Sequence, residues 1–300
     1  MTHAVSLAPD LTFSRLIYGW WRLMSWDMDT KAIEQRLEAC IAMGITTHDH
    51  ADIYGDYLCE TTFGQALRQR PDLRAQIQLV SKCGIELVSA QRPAHRAKAY
   101  NTSRDHIVAS AERSLRELGT DYLDVLLIHR PDPLMDVDAI ASAFAQLKSA
   151  GKVRYFGVSN FLPDQYQLLQ SRLDSPLVTN QLEVSVMHHD AFHDGSLNLA
   201  QRVRQPVMAW SALAGGRLFS DPSPEAQRVR DALTAVAKDI GAESIDQVAL
   251  AWLLCHPAQI LPIVGSGNLN RIQSAKGALE LGLTRDQWYS IWLAGNGTLP

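Results

Sequence analysis

The sequence is poor in cysteine, and its four thiols are scattered. Cys40, Cys59, Cys83 and Cys255 form no Cys-x-x-Cys pair. Disulfide-rich scaffolds and zinc sites place their cysteines at close, regular spacings. We therefore expect four free thiols, as in a protein of the reducing cytoplasm, and no metal site built on cysteine.

Long apolar runs and an excess of basic charge are also missing. No uninterrupted apolar stretch reaches the ~18 residues of a membrane-spanning helix. The amino-terminal MTHAVSLAPDL lacks the basic and apolar regions of a signal peptide. The net charge is −4, whereas nucleic-acid binding favours basic patches. We therefore expect no membrane anchor and no nucleic-acid partner. The sequence does not indicate an oligomeric state.

What the sequence does contain is an alternation of short apolar strands with amphipathic helices along its 300 residues. Eight strands are predicted, over 15–19, 44–49, 77–82, 123–129, 153–159, 177–181, 206–211 and 260–266. Helices are predicted over 30–43, 104–118, 137–150 and 246–255. Such alternation is typical of parallel βαβ units.

The predicted architecture is a (β/α)8 TIM barrel in one domain over residues 1–300, since such barrels take ~250 residues plus insertions. A doubly wound fold usually has a glycine-rich turn after its first strand, but GWWRLMSWDMD follows here. We therefore expect no Rossmann domain. Residues 83–101 and 221–225 are predicted loops over the barrel mouth, and 284–294 is a predicted additional helix that covers the pocket.

Polar residues follow the predicted strands, and a parallel barrel gathers all its carboxyl strand ends at one rim. The residues at such ends are Asp49, Tyr54, Lys82, His129 and Asn160. A carbonyl reduction needs an acid, and a free phenol has a pKa of ~10. We expect the Lys82 ammonium to lower the pKa of Tyr54, Asp49 to hold that ammonium, and His129 to orient the carbonyl.

These segments resemble the signatures of the aldo-keto reductase superfamily, and most closely a YdhF-like bacterial branch of oxidoreductases. The matching runs are Asp49-His-Ala-Asp-Ile-Tyr54-Gly55, Leu-Leu-Ile-His129-Arg-Pro-Asp132, Gly157-Val-Ser159-Asn160, Asn180-Gln181 and Ala209-Trp210-Ser211 through Gly216. The resemblance covers residues 15–280 or so. It implies a barrel that binds NADPH in an extended pose at its carboxyl rim and reduces aldehydes or ketones.

The resemblance also implies residue roles. The tetrad would be Asp49, Tyr54, Lys82 and His129, with Tyr54 as the proton donor. The nicotinamide carboxamide would be held by Ser159, Asn160 and Gln181, and Trp210 would stack on the ring. The loop that lies along the pyrophosphate would comprise Ser211, Leu213, Gly215, Gly216 and Arg217.

The last predicted strand gives an independent indication of an anion site. Gly265-Ser266-Gly267 stands between a strand and a helix, where free backbone N–H groups and the helix dipole favour phosphate. Arg271 adds a bidentate donor suited to a 2′-phosphate. This pattern favours NADPH over NADH.

Two other functions remain open from the residues alone. A metal-dependent barrel hydrolase would use His48 and His50, which alternate on a strand, together with His129. A cofactor-binding sensor would keep the barrel but turn over little. We favour the reductase, expect His50 to form a hydrogen bond within the barrel, and expect at least one of Trp20 and Trp21 to line the substrate pocket.

Overall fold

Eight parallel strands close into a barrel in the computed structural model, which describes residues 4–299. The strands along the chain are β1 Ala4–Ala8, β2 Leu11–Ser14, β3 Ile17–Gly19, β4 Thr47–Asp49, β5 Gln78–Cys83, β6 Ile85–Glu86, β7 Ala99–Tyr100, β8 Leu123–Ile128, β9 Val153–Ser159, β10 Asn180–Glu183, β11 Val207–Trp210 and β12 Leu261–Val264. The barrel order is β3-β4-β5-β8-β9-β10-β11-β12, and β12 pairs with β3 to close it.

Helices follow most barrel strands and form the outer layer. They are α1 Thr30–Ala42, α2 Tyr54–Tyr57, α3 Cys59–Gln69, α4 Arg104–Leu118, α5 Val137–Ser149, α6 Pro163–Gln170, α7 Asp190–His193, α8 Ser196–Val203, α9 Arg217–Ser220, α10 Pro224–Ile240, α11 Ile245–Leu254, α12 Leu269–Gly277 and α13 Arg285–Asn296. Side-chain caps start several of them: Asp29 accepts from the N–H of Ala32, and Ser103 from that of His106. Within residues 4–299, no helix has both the length and the apolarity to span a membrane.

An amino-terminal hairpin closes one end of the barrel. Strands β1 and β2 pair antiparallel, and Leu11 and Phe13 pack on inward-facing residues such as Val80, Val125 and Met208. Neighbouring strand residues point to the helix layer instead, because side chains alternate along a strand. The hairpin lies at the amino ends of the barrel strands, which leaves the carboxyl ends for a site.

All eight predicted barrel strands are present, and the fold prediction is confirmed. The hairpin was not predicted, although AVSLAPDLTFS alternates and turns at Pro-Asp. The prediction of a loop over 221–225 is wrong in its second half, since Ser223 caps α10, which begins at Pro224. Segment 83–101 contains a small ladder between β6 and β7.

The predicted carboxyl-terminal helix exists as α13. Thr284 and Gln287 form a capping box at its start. Trp288 of α13 stacks on Trp252 of α11 with ring centroids 4.7 Å apart. Each indole N–H of this pair donates to the other residue's carbonyl. These contacts hold α13 on the outer helix layer.

Candidate active site

Lys82 is the centre of a buried polar cluster at the carboxyl end of the barrel. Its Nζ donates to Asp49 Oδ1 at 2.7 Å and Oδ2 at 2.8 Å, and to the His50 carbonyl at 2.7 Å. Its contact with Tyr54 Oη is 3.0 Å. The Lys82 side chain has no exposed surface. Lys82 therefore forms one hydrogen-bonded unit with Asp49 and Tyr54, two residues that are distant from it in sequence.

Strand alternation explains why Asp49 and Lys82 meet. His48 on β4 and Ser81 and Cys83 on β5 point outward, so Asp49 and Lys82 point into the barrel. Asp49 pairs with Val80 in the β4–β5 register, which brings the two side chains together near the rim.

Tyr54 is held by an unusual turn after β4. Gly55, Asp56 and Tyr57 all have positive φ angles, of 58°, 56° and 66°, a conformation that costs roughly 1–2 kcal/mol for a residue with a side chain. A Cβ on Gly55 would lie 2.4 Å from Met24 Cγ and 2.6 Å from Cys59 Sγ. Glycine is therefore favoured at position 55 both by conformation and by space.

His129 completes the predicted tetrad. Its ring lies edge-on to that of Tyr54, with centroids 5.9 Å apart, and its backbone N–H donates to the Cys83 carbonyl at 2.9 Å. Among residues 4–299, no group hydrogen-bonds its Nδ1. The structure thus brings all four predicted residues to one place.

Burial controls the ionisation of this site. It raises the pKa of Tyr54 well above 10, and the Asp49 carboxylate raises it further. Burial also lowers the pKa of Lys82, against the stabilising effect of Asp49. The pKa of Tyr54 is thus raised overall and not lowered as expected, because burial and the Asp49 carboxylate dominate it. Burial, with Lys82 and Arg130, holds the pKa of His129 well below 6.5, so its imidazole is neutral.

The predicted nicotinamide residues are linked to the tetrad by hydrogen bonds. Gln181 Nε2 donates to Asp49 Oδ1 at 2.8 Å. Ser159 Oγ donates to the Gln181 carbonyl at 2.9 Å, and Asn160 Nδ2 donates to Ser159 Oγ at 2.7 Å. The Trp210 indole N–H donates to Asn160 Oδ1 at 3.0 Å, which fixes the plane of a half-buried ring.

The predicted pyrophosphate loop has an irregular backbone. Ser211, Gly215 and Gly216 have positive φ angles of 51°, 65° and 99°. Leu213 is half-buried there, and Arg217 is exposed. Arg22, from the segment after β3, donates to the Gly215 carbonyl at 3.0 Å and so connects the two loops.

The β12–α12 loop, defined as Gly265, Ser266, Gly267 and Asn268, lies against the barrel. A Cβ on Gly265 would come within 2.9 Å of the Gly19 carbonyl oxygen, and one on Gly267 within 2.8 Å of the Trp26 ring. Arg271 follows in the first turn of α12 and is exposed.

The two tryptophans predicted for the substrate pocket differ. Trp21 is 57% exposed, with its ring 6.5 Å from that of Tyr54, so the structure places it beside the tetrad. Trp20, the other candidate, does not line this pocket. It is fully buried, and it packs edge-on to Phe63 at 4.9 Å in the helix layer.

The histidines of the hydrolase hypothesis also lie in the helix layer. His48 Nδ1 accepts from the Trp20 indole N–H at 3.0 Å, and burial lowers its pKa to about 3. His50 stacks on Trp20 at 5.9 Å. Neither ring nitrogen of His50 has a hydrogen-bond partner among residues 4–299, so the expected hydrogen bond is absent. Both point away from Asp49 and His129, and the described residues form no group of three or more that could hold a metal.

Three charged residues near the site were missed by the sequence predictions. Arg130 places its guanidinium over the Trp210 ring at 5.6 Å. Glu60 is buried behind Lys82 and accepts from Ser81 Oγ. Arg36 is buried under the β12–α12 loop. Arg36 and Glu60 lie within the apolar stripes of their helices. A charged residue in such a stripe is the sequence pattern that could have identified them as buried.

Comparison with known proteins agrees with this geometry. The model of the aldo/keto reductase family matches residues 15–292. Oxidoreductase YdhF of Escherichia coli (strain K12) is 49% identical over 99% of both chains. A 6-dehydroglucose reductase of Agrobacterium fabrum is 43% identical over 98% of both chains. The crystal structure of the thermostable aldo-keto reductase Tm1743 superposes with a TM-score of 0.82 at 26% identity, over 98% of this chain and all of that one.

Proposed function

Because the chain belongs to the aldo/keto reductase family, we propose that it is an NADPH-dependent oxidoreductase that reduces aldehyde or ketone carbonyls to alcohols. Tyr54 is the proposed proton donor. The observation that carries this proposal is the position of Lys82 Nζ, 3.0 Å from Tyr54 Oη and 2.7 Å from Asp49 Oδ1.

Each residue of the tetrad has a distinct role in this proposal. Because Lys82 donates to the phenolic oxygen, the proton of Tyr54 remains free for a carbonyl oxygen. The raised pKa of Tyr54 keeps that proton in place at neutral pH. His129, held neutral, donates an N–H to the same carbonyl oxygen, where negative charge develops during reduction. Asp49 keeps Lys82 charged and oriented.

The residues at the rim fit a nicotinamide dinucleotide, which supplies the hydride when it is bound. Trp210 presents a fixed, half-buried ring for stacking, beside the amide groups of Asn160 and Gln181 and the hydroxyl of Ser159. The Ser211–Arg217 loop and the β12–α12 loop would bind the phosphates, and Arg271 would bind the 2′-phosphate that distinguishes NADPH from NADH.

The substrate is proposed to enter beside Trp21. Because a relative of 43% identity is a 6-dehydroglucose reductase, sugar aldehydes stand first in the panel to be tested, followed by simple aldehydes and diketones. The test follows the absorbance of NADPH and of NADH with each carbonyl. Turnover with NADPH is expected. Tight NADPH binding without turnover on any carbonyl would contradict the proposal and favour a sensor.

A further inference from the structure

Arg36, on α1, lies directly under the β12–α12 loop and is only 8% exposed. Its Nη1 donates to the Ser266 carbonyl at 2.8 Å, and its Nη2 to the Gly267 carbonyl at 2.7 Å. Nη1 also contacts Tyr18 Oη at 2.7 Å, and Tyr18 Oη donates to the same Ser266 carbonyl at 2.8 Å. Within residues 4–299, all hydrogen bonds of Arg36 therefore go to neutral oxygens.

These bonds fix which way the loop presents its donors. In a planar trans peptide the C=O and the next N–H point in opposite directions. Since the Ser266 carbonyl points at Arg36, the N–H of Gly267 points away from α1. No acceptor among the described residues takes this N–H. The N–H of Asn268 is oriented in the same sense and donates to Ser266 Oγ at 3.1 Å.

The loop is confined on a second side by aromatic rings. The Trp26 ring lies against Gly267, leaving no space for a Cβ, and it packs on Tyr18 with centroids 5.9 Å apart. The Gly267 peptide is therefore held by the Arg36 guanidinium and by the Trp26 ring, with little freedom to rotate.

We propose that Arg36 is a positioning residue for the 2′-phosphate of NADPH. It orients the β12–α12 loop so that the Gly267 N–H faces the phosphate, and its buried positive charge adds to the attraction. A charged donor on a carbonyl also polarises that peptide, which makes its N–H a stronger donor. This inference rests on the proposed function, because it concerns the site proposed there for the phosphate.

A matched control comes from Arg15, which is equally buried and makes the same kind of contacts. Arg15 donates to the carbonyls of Ile260 and Leu254 at 2.7 and 2.8 Å, at the opposite end of β12. If Arg36 only stabilised the fold, Arg36→Met and Arg15→Met would have equivalent effects on ligand binding.

The experiment measures dissociation constants of adenosine 2′,5′-bisphosphate and of 5′-AMP, which lacks the 2′-phosphate, by calorimetry. Thermal unfolding is recorded in parallel. Arg36→Met is expected to weaken binding of the bisphosphate at least about tenfold and binding of 5′-AMP less than about threefold. Arg15→Met is expected to change neither dissociation constant. Arg36→Lys keeps the charge without the planar fork and should recover part of the loss. Tyr18→Phe should give a smaller loss in the same direction.

Two results would overturn the inference. One is that Arg36→Met weakens the binding of both ligands equally, or weakens the binding of neither. The other is the same profile in Arg15→Met. If Arg36→Met does not fold, unchanged bisphosphate binding in both Arg36→Lys and Tyr18→Phe would be decisive against it. If the wild-type protein binds the two ligands equally, the proposed NADPH preference itself is refuted. That result is distinguishable from a failure of the Arg36 inference, which shows only in the variants.

Discussion

Replacing Lys82 by methionine tests whether the tetrad is a single electrostatic unit. Methionine keeps much of the side-chain length but removes the ammonium. Among residues 4–299, the buried Asp49 carboxylate then keeps the Gln181 amide, at 2.8 Å, as its side-chain partner. Removal of one partner from a buried ion pair costs about 3–5 kcal/mol. We expect Lys82→Met to lose that much free energy of unfolding at neutral pH.

The second variant of this test removes both charges. Asp49→Asn with Lys82→Met leaves no uncompensated buried charge, so the double variant is expected to regain more than half of the single variant's loss. Urea unfolding followed by tryptophan fluorescence gives the free energies of the four proteins in the cycle. The reasoning is refuted if Lys82→Met loses less than about 1 kcal/mol, or if the double variant is less stable than the single one.

Three further predictions concern the surroundings of the site. Burial raises the pKa of Glu60 to about 7 from 4.5, so the ionisation of Glu60 should contribute a fall of about 3 kcal/mol in the free energy of unfolding as the pH rises through that interval. Glu60→Gln should lack this fall in urea titrations at several pH values, and an unchanged profile would exclude Glu60 as its cause. Gly55→Ala should lose roughly 1–2 kcal/mol for its positive φ and about 1–3 more for overpacking; stability within error of wild type would show that the turn is not held as described. Trp21→Ala should raise the KM for the carbonyl and change unfolding by less than about 0.5 kcal/mol, whereas Trp20→Ala should cost about 3–5 kcal/mol; the opposite ranking in stability would contradict their placement.

The barrel strands and the tetrad could be predicted because both follow from local pattern. Each strand is a short apolar run, and the topology brings strand ends together whatever the loops do. The position of Trp20 was also within reach. Counting alternation from the inward-facing Ile17 places Trp20 in the helix layer and Trp21 at the rim.

Other features depend on three-dimensional packing that local pattern does not contain. The pKa of Tyr54 is decided by burial and by the distance to the Asp49 carboxylate, neither of which can be estimated from residue types. The role of Arg36 depends on which loop α1 contacts. Its place in the stripe Ile33, Arg36, Leu37, Cys40 shows only that it is buried.

The central claim, that Tyr54 donates the proton, is tested most directly by turnover and NADPH binding in Tyr54→Phe. The matched control is Tyr57→Phe, since the Tyr57 hydroxyl accepts instead from the backbone N–H of Leu87 at 2.8 Å. We predict that Tyr54→Phe binds NADPH within about threefold of wild type and loses at least about a hundredfold in kcat, the lower end of what a positioned acid contributes, while Tyr57→Phe keeps its kcat. Wild-type turnover in Tyr54→Phe would contradict the account.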